Sequence, residues 1–340
     1  MTDRRFQDII DGVAGYIGTT AGILGEDGSV LACTDPDFIG KDGSKVLPGG
    51  FSVMKADKNS ETRVFVRGTD GLSVRLCGML AFAVSESASL RDAEAGRAEF
   101  MRKLILGEIA SGAAIETSER LGIRFSEPRK VYAVRVQGDA DTQPYQVLSR
   151  IFPENDDFVV SVGGDDYAVI TGAGASDGDE ANETAASVVD VFGSECFVNA
   201  FVGVGTTADD LGMLGKSYSN ALFALGTARL FSPGKPVACY GSLGVAGLIN
   251  GLPREACRAF LSEVRGVDQF DGEMLATVQA FFDNGLNVSE TARSIFVHRN
   301  TLLYRIEKIK RVTGLDIRTF DQAVTLRLAL MVRKYLEGTL

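Results

Sequence analysis

The sequence predicts a multidomain α+β protein whose C-terminal part is entirely helical. Its 340 residues suggest two or three domains, at about 100–200 residues each. Strand-like and helix-like segments alternate up to about residue 242, which is typical of packed α/β layers. From Leu243 onward only helical patterns remain, separated by Gly or Asn. We therefore expect a domain boundary near this point.

The composition is that of an ordinary soluble globular protein, with 45% hydrophobic and 24% charged residues. No stretch approaches about 18 uninterrupted apolar residues, and the first residues lack the apolar run of a signal peptide. Five cysteines without a CxxC pair indicate free thiols in a reducing compartment. We expect a cytoplasmic protein with no membrane partner.

The single histidine limits the chemistry that the chain can perform. It excludes His-rich metal sites, and any Cys–His or Ser–His–Asp catalyst would depend on His298 alone. No residues lie at metal-ligand spacing around it. We expect no metal site, no cofactor and no catalytic residues.

Residues 1–90 have the pattern of a small α+β domain. An amphipathic helix over 1–18 precedes a hairpin whose turn is at 26–28. Residues 63–84 then predict two further strands, RVFVRG and SVRLCGMLAFAV, joined by a turn at 69–71. A helix, a hairpin and further strands are typical of PAS- or GAF-like sensors.

The middle of the chain predicts a helical linker over 91–127 and an α/β domain over 128–242. The domain alternates strands and helices around one mostly antiparallel sheet. FVVSVGGDDYAVITG forms a strand, a turn and a strand, and the small acidic residues of 171–184 form a loop.

The most informative stretch, at 287–316, predicts a helix-turn-helix within the all-α segment 243–340. Asn287 is a suitable N-cap, with Glu290 three residues later as in a capping box, and begins a helix over Val288–Ile295. His298 caps a second helix, Arg299–Val312. Two short helices joined by so short a turn form a helix-turn-helix.

The second helix has one buried face and one polar face. Leu302, Ile306 and Ile309 form the buried stripe, and Gly314 ends the helix. In this motif the N-terminal turns of the second helix enter the major groove of DNA. The predicted DNA-binding residues are His298, Arg299, Asn300, Thr301, Tyr304, Arg305 and Lys308.

These residue types suit a duplex. Arg299, Asn300 and Arg305 suit base readout, because arginine pairs with guanine and asparagine with adenine. Thr301 and Tyr304 suit phosphate contacts. The alternative is a solvated basic helix on an interaction module that binds no DNA.

Charge is distributed unevenly along the chain. Residues 284–340 hold ten basic and five acidic residues and carry a net charge of +5. The rest of the chain carries −15, which gives the net charge of −10 for the whole. An acidic body argues against non-specific coating of nucleic acid, and the positive charge coincides with the motif.

The stretch HRNTLLYRIEKIKRVTGLDIRTFDQAVTLRLAL resembles the C-terminal helix-turn-helix of the PucR/CdaR family of bacterial transcriptional regulators. ERLGIRFSEPRKVYAVRV and VGVGTTADDLGMLGKSYSNALFALGTARL resemble the two ends of that family's middle domain. FQDIIDGVAGYIGTTAGILGEDGSVLACTDPDFIGK is similar to the start of its sugar-diacid recognition domain. The resemblance implies a dimeric, ligand-responsive regulator of catabolic genes that binds a double-stranded DNA operator.

Within the middle domain, the GGDDY run at 163–167 resembles the GGDEF turn of diguanylate cyclases, so a nucleotide cyclase is the alternative activity. Asp139 and Asp141 are the candidates for its metal carboxylate, but both fall in a predicted loop. Ser161 stands where cyclases commonly have arginine. We therefore expect a GGDEF-like domain without enzymatic activity, as the family resemblance implies.

A carboxylate effector would need cations or backbone N–H groups in the N-terminal domain. Three arginines on the predicted strands and a neighbouring loop could supply them, although arginines on strands more often face solvent. The candidate ligand residues are Arg63, Arg67, Arg75, Thr34 and Asp35.

Overall fold

The computed structural model describes residues 4–47, 49–57, 60–138, 143–173 and 179–338. The chain divides into two compact units, residues 1–97 and 98–340. Each unit is described by itself. No described helix combines the length and the apolar character that crossing a bilayer requires.

The first unit is a four-stranded antiparallel sheet with helices. The strands lie in the order β2-β1-β4-β3. The elements are α1 (Arg4–Ile17), β1 (Ala21–Leu24), β2 (Val30–Cys33), α2 (Gly43–Val46), β3 (Phe51–Lys55), β4 (Arg63–Arg67) and α3 (Gly71–Ile105), which continues into the second unit.

The predicted strand SVRLCGMLAFAV is wrong, because these residues form the first turns of α3. The side chain of Asp70 accepts a hydrogen bond from the Ser73 N–H at 2.7 Å, which favours helix at this point. Cys77, Leu80 and Val84 recur at helical spacing and are buried in the core between helix and sheet. A continuous apolar run is compatible with a buried strand and with a buried helix, so the periodicity of the sequence could not distinguish the two.

The fourth strand of this sheet, β3, was absent from the prediction. It pairs with β4 from Phe51 to Lys55 and forms the sheet edge. Its side chains are half-buried or exposed, so it lacks the strong apolar alternation of a core strand.

The second unit begins with an α/β layer structure. Its sheet has the order β6-β7-β5-β8-β9, in which β8 and β9 are parallel and the other described ladders are antiparallel, as predicted. The elements are α4 (Ser111–Arg120), β5 (Arg129–Gln137), α5 (Pro144–Ile151), β6 (Phe158–Gly163), β7 (Asp166–Gly172), α6 (Asp179–Glu195), β8 (Asn199–Val204), α7 (Leu214–Phe231) and β9 (Val237–Cys239).

This sheet is buried on both faces. One face packs against the end of α3, α4 and α7 through residues such as Val131 and Ile170. The other packs against α5 and α6 through residues such as Val134 and Val202. The end of α3 and all of α4 lie inside the predicted linker, and both contribute to this core. The boundaries at 90, 127 and 242 stay predictions.

The rest of the second unit is helical. Fully buried apolar residues, including Phe281, Ile306 and Leu326, bring three helices around one core. The helices are α8 (Gly244–Asn250), α9 (Arg254–Glu263), α10 (Gly272–Asp283), α11 (Val288–Ser294), α12 (Arg299–Thr313) and α13 (Phe320–Glu337).

Candidate nucleic-acid interface

Helix α11 begins at the predicted cap. The side chain of Asn287 accepts hydrogen bonds from the N–H groups of Ser289 and Glu290, at 2.9 and 3.2 Å. The reciprocal half of the predicted capping box is missing. The Asn287 N–H donates to the Asn284 carbonyl at 3.1 Å, and the Glu290 carboxylate instead pairs with Arg293 at 2.8 Å.

A short turn joins α11 to α12 and presents one aromatic side chain. The Val297 N–H donates to the Ala292 carbonyl at 3.0 Å, which closes the turn. Ala292 is buried, so its small side chain lets the two helices pack closely. Phe296 has φ +55° and its side chain is 95% exposed. Residues other than glycine rarely adopt this left-handed conformation.

Helix α12 begins and ends where the sequence predicts. The Nδ1 of His298 accepts a hydrogen bond from the Asn300 N–H at 3.3 Å, so the histidine acts as an N-cap. Gly314, at φ +78°, takes the left-handed conformation that ends the helix. Leu302, Ile306 and Ile309 are fully buried. The fixed buried face orients the opposite face of α12 to solvent.

Four of the predicted DNA-binding residues form one exposed surface on the first two turns of α12. They sit beside the exposed N-cap His298. The backbone at the start of a helix also carries partial positive charge, which attracts phosphate. The members of this surface, which we call the α12 tip, are Arg299, Asn300, Thr301 and Tyr304.

Two further predicted residues lie at the edge of α12 and are already paired with α10. The Nη2 of Arg305 lies 2.6 Å from a Glu273 carboxylate oxygen, and its side chain is only 24% exposed. Lys308 lies 3.5 Å from Asp271. The N–H of Met274 donates to Asp271, and this bond, with a smaller contribution from Lys308, lowers the pKa of the Asp271 carboxyl. Their role in DNA binding stays a prediction.

Sequence reasoning missed these acidic partners, because Asp271 and Glu273 lie outside the basic segment. Asp271 is the N-cap of α10, and an aspartate at the start of an apolar periodic stretch is a signal that sequence reading can use. Their pairing with α12 depends on tertiary packing and has no local signal.

After α12, the chain is held by a carboxylate that binds two cations. Arg318 donates through Nε and Nη2 to Asp316, at 2.7 and 2.6 Å, and Lys310 donates to the same carboxylate at 3.2 Å. The Arg318 bonds are the largest cause of a strongly lowered Asp316 pKa, and Lys310 adds to it. This arrangement ties the end of α12 to the loop that precedes α13.

The GGDDY run forms a tight turn between β6 and β7, with Gly163 and Gly164 at positive φ. The carboxylate of Asp166 accepts two hydrogen bonds from Arg135, its cross-strand partner on β5, at 2.7 and 2.8 Å. A bidentate pair of this kind already engages both oxygens that a metal ion would use. Asp139 and Asp141 lie outside the described residues.

The three predicted effector arginines do not converge. Arg63 and Arg67 lie at opposite ends of β4, and alternation along the strand places them on the same sheet face as Phe65. The guanidinium of Arg67 lies 5.5 Å from the centre of the Phe51 ring. Arg75 lies on α3, which covers the other face of the sheet, so its predicted strand position is wrong.

Thr34 and Asp35 take part in the turns of their own loop. The Thr34 hydroxyl accepts a hydrogen bond from the Ala21 N–H at 3.0 Å. Asp35 caps the short 3-10 helix Pro36–Phe38 and accepts from the Asp37 N–H at 3.1 Å. Contact of either residue with an effector stays a prediction.

Two family models match this chain. One describes the PucR C-terminal helix-turn-helix domain and matches residues 274–332, which include α11 and α12. The other describes a GGDEF-like domain and matches residues 106–227. The observed mixed sheet and the helix pair therefore agree with two parts of the predicted architecture, whereas neither match reaches the N-terminal unit.

Three bacterial regulatory proteins are similar to between 36% and 69% of this chain. The carbohydrate diacid regulator of Escherichia coli is 26% identical over 252 residues, or 69% of this chain and 65% of the relative. The purine catabolism regulatory protein of Bacillus subtilis is 28% identical over 36% of this chain and 24% of the relative. A proline-responsive transcriptional activator of Bacillus subtilis is 28% identical over 39% and 34%. Each match spans less than two thirds of the relative's length.

Proposed function

Because the chain belongs to the PucR/CdaR family of regulators, we propose that it is a transcriptional regulator of catabolic genes that binds a DNA operator through α12. Its relatives carry the names of regulators of carbohydrate diacid, purine and proline utilisation or response. A homodimer and a cytoplasmic location are part of the same proposal.

The observation that carries this proposal is the α12 tip. Arg299 and Asn300 are exposed on the first turn of a helix whose other face is locked into the core. In a helix-turn-helix this turn meets base edges in the major groove. Arginine and asparagine are the side chains that read guanine and adenine there. The tip therefore supplies base contacts, and the preceding helix supplies the rigid support.

The test is a titration of the full chain against labelled fragments of its own genome at two salt concentrations. Specific binding should weaken as salt rises, because phosphate contacts release counterions. Arg299→Ala and Asn300→Ala should each weaken binding to the preferred fragment by about 1–3 kcal/mol. Arg120→Ala, an exposed arginine on α4, is the matched control and should change nothing. Salt-independent or absent duplex binding would favour the interaction-module alternative.

We propose that a small molecule bound by the N-terminal unit controls DNA binding, and that it is a sugar diacid or a related carboxylate. The similarity to a carbohydrate diacid regulator over 69% of the chain supports this class. The effector would act by favouring one of two dispositions of the paired DNA-binding domains. Thermal unfolding with and without a six-carbon sugar diacid tests the binding, and operator affinity in the same buffers tests the coupling.

We propose that the GGDEF-like domain has no cyclase activity. The Arg135–Asp166 pair supports this, since Asp166 occupies the fourth position of the GGDDY run and both its carboxylate oxygens already accept hydrogen bonds. Incubation with GTP and Mg²⁺ is the direct assay. Formation of a cyclic dinucleotide would establish the alternative.

A further inference from the structure

An exposed apolar stripe runs along α3 in the first unit. Leu72, Met79, Phe82 and Leu90 are 58%, 69%, 67% and 62% exposed. They recur at intervals that bring them to one side of a helix, and Arg75 and Glu86 lie in the same row. We call these six residues the α3 stripe.

The α3 stripe points away from the core of its own unit. Cys77, Leu80 and Val84, on the opposite face of α3, are the residues buried against the sheet. Tyr16 of α1 is also exposed and lies beside the stripe. It lines, with Met79 and Phe82, a hollow of about 670 Å³ whose walls are mostly apolar. Tyr16, Met79 and Phe82 therefore form a contiguous exposed apolar surface, which marks an interaction site.

We propose that the α3 stripe binds the α3 stripe of a second copy of this chain, with the two helices antiparallel. From Leu72 to Glu86 the row follows the alternating three- and four-residue spacing of a helix–helix seam, and Leu90 lies one further four-residue step along. An antiparallel pairing centred between residues 80 and 81 sets Met79 of each copy against Phe82 of the other. Sulfur and aromatic side chains pack favourably.

The charges in the row select this direction. In the antiparallel pairing, Arg75 of each copy faces Glu86 of the other, so two ion pairs form across the seam. A parallel pairing sets Arg75 against Arg75 and Glu86 against Glu86, which is repulsive. Within the described part of one chain neither residue forms an ion pair, and Arg75 has only a weak longer-range attraction to the Asp70 carboxylate. Both side chains can therefore pair with the partner copy.

The proposed pairing of two α3 stripes adds a dimer interface to the proposed function. It rests on that function only because a DNA-binding regulator is expected to bring two DNA-binding domains together. One helix-turn-helix buries little protein surface on DNA, so two are expected in a specific complex. The pairing itself involves no DNA. The two proposals can therefore fail separately.

Sedimentation of the full chain without DNA tests the proposal. The wild-type chain should be a dimer at micromolar concentration. Met79→Ser with Phe82→Ser should raise the dimer dissociation constant at least about a hundredfold, because four apolar side chains leave the seam. A wild-type monomer, or a dimer unaffected by this double variant, would overturn the proposal.

Charge reversal tests the direction of pairing. Arg75→Glu and Glu86→Arg should each raise the dissociation constant by about tenfold, because each creates two like-charge contacts. Combining the two should restore the wild-type value. In a parallel pair, the single reversals would exchange one repulsive contact for another and change little, which would overturn the antiparallel arrangement. Arg120→Glu, on exposed α4, is the charge-matched control, and far-UV circular dichroism verifies folding of every variant.

Discussion

The Arg305–Glu273 ion pair provides a test of whether Arg305 reads DNA. The Arg305 guanidinium lies 2.6 Å from Glu273 and 3.4 Å from the Thr277 hydroxyl, so it points toward α10. To contact guanine, it would have to leave Glu273. Glu273→Gln removes the negative charge but keeps the size and polarity of the side chain.

The magnitude follows from the exposure of the pair. Glu273 is 58% exposed and Arg305 is 24% exposed, so solvent screens their attraction and the pair contributes about 0.5–1 kcal/mol. If Arg305 must break this pair to bind DNA, the free energy of the pair opposes binding in the wild-type chain. Glu273→Gln removes that cost. Operator affinity should then rise about two- to fivefold.

The assay is fluorescence anisotropy with a labelled operator duplex, on the wild-type chain, Glu273→Gln, Arg305→Ala and the double variant. If Arg305 reads a base, Arg305→Ala loses affinity and abolishes the gain from Glu273→Gln. An equal gain from Glu273→Gln in the Arg305→Ala background would trace the effect to general charge alone. Unchanged affinity in both single variants, with a lowered unfolding free energy for Arg305→Ala, would refute base readout and leave Arg305 as a structural link between α10 and α12.

Three further predictions concern residues of α12 and of the segments on either side of it. Phe296→Gly should raise the free energy of unfolding by about 0.5–1 kcal/mol in urea titrations, because glycine tolerates the left-handed φ and no buried contact is lost; a loss of stability would contradict this. Asp316→Asn should cost about 1 kcal/mol at pH 7. Because Arg318 lowers the folded-state pKa of Asp316, that difference should shrink as pH falls below about 4, where the unfolded carboxyl takes up its proton; a pH-independent difference would contradict this. Ile306→Ala should cost about 2–5 kcal/mol, whereas Tyr304→Ala on the exposed side should cost less than about 0.5 kcal/mol and weaken DNA binding; equal stability losses would contradict this.

The sequence predicted the helix-turn-helix to within about one residue at each helix end because its signals are local. Asn287, His298 and Gly314 each fix a helix end through their own backbone or side chain. The buried positions of α12 follow from spacing alone. The exposed residues of the tip follow from the buried ones, since they occupy the opposite face of the same helix.

The errors arose where the structure depends on contacts distant in sequence. The start of α3 is apolar over several consecutive residues, and only packing of Cys77 and Leu80 against the sheet distinguishes helix from strand. Edge strand β3 lacks a buried face of its own. The Arg135–Asp166 pair joins residues 31 apart in sequence. The residues of the GGDDY turn alone therefore could not predict that the Asp166 carboxylate is bound by an arginine.

Contacts between residues distant in sequence also reduce the number of free cations behind the +5 charge of residues 284–340. Among the described residues, six of its ten cations already contact a carboxylate, and two of those carboxylates, Asp271 and Glu273, come from outside the counted segment. The six are Arg293, Arg305, Lys308, Lys310, Arg318 and Arg333.

The cations that form no ion pair within the described part of the chain include Arg299 and Arg311, both exposed on α12. A paired cation must exchange one anion for another before it meets phosphate, so its net contribution to binding is smaller. An unpaired cation exchanges only solvent and counterions. Arg299, at the start of α12, would therefore meet a duplex without first giving up an ion pair. It adds to the partial positive charge of the helix N-terminus, where the side chains suited to base readout also lie.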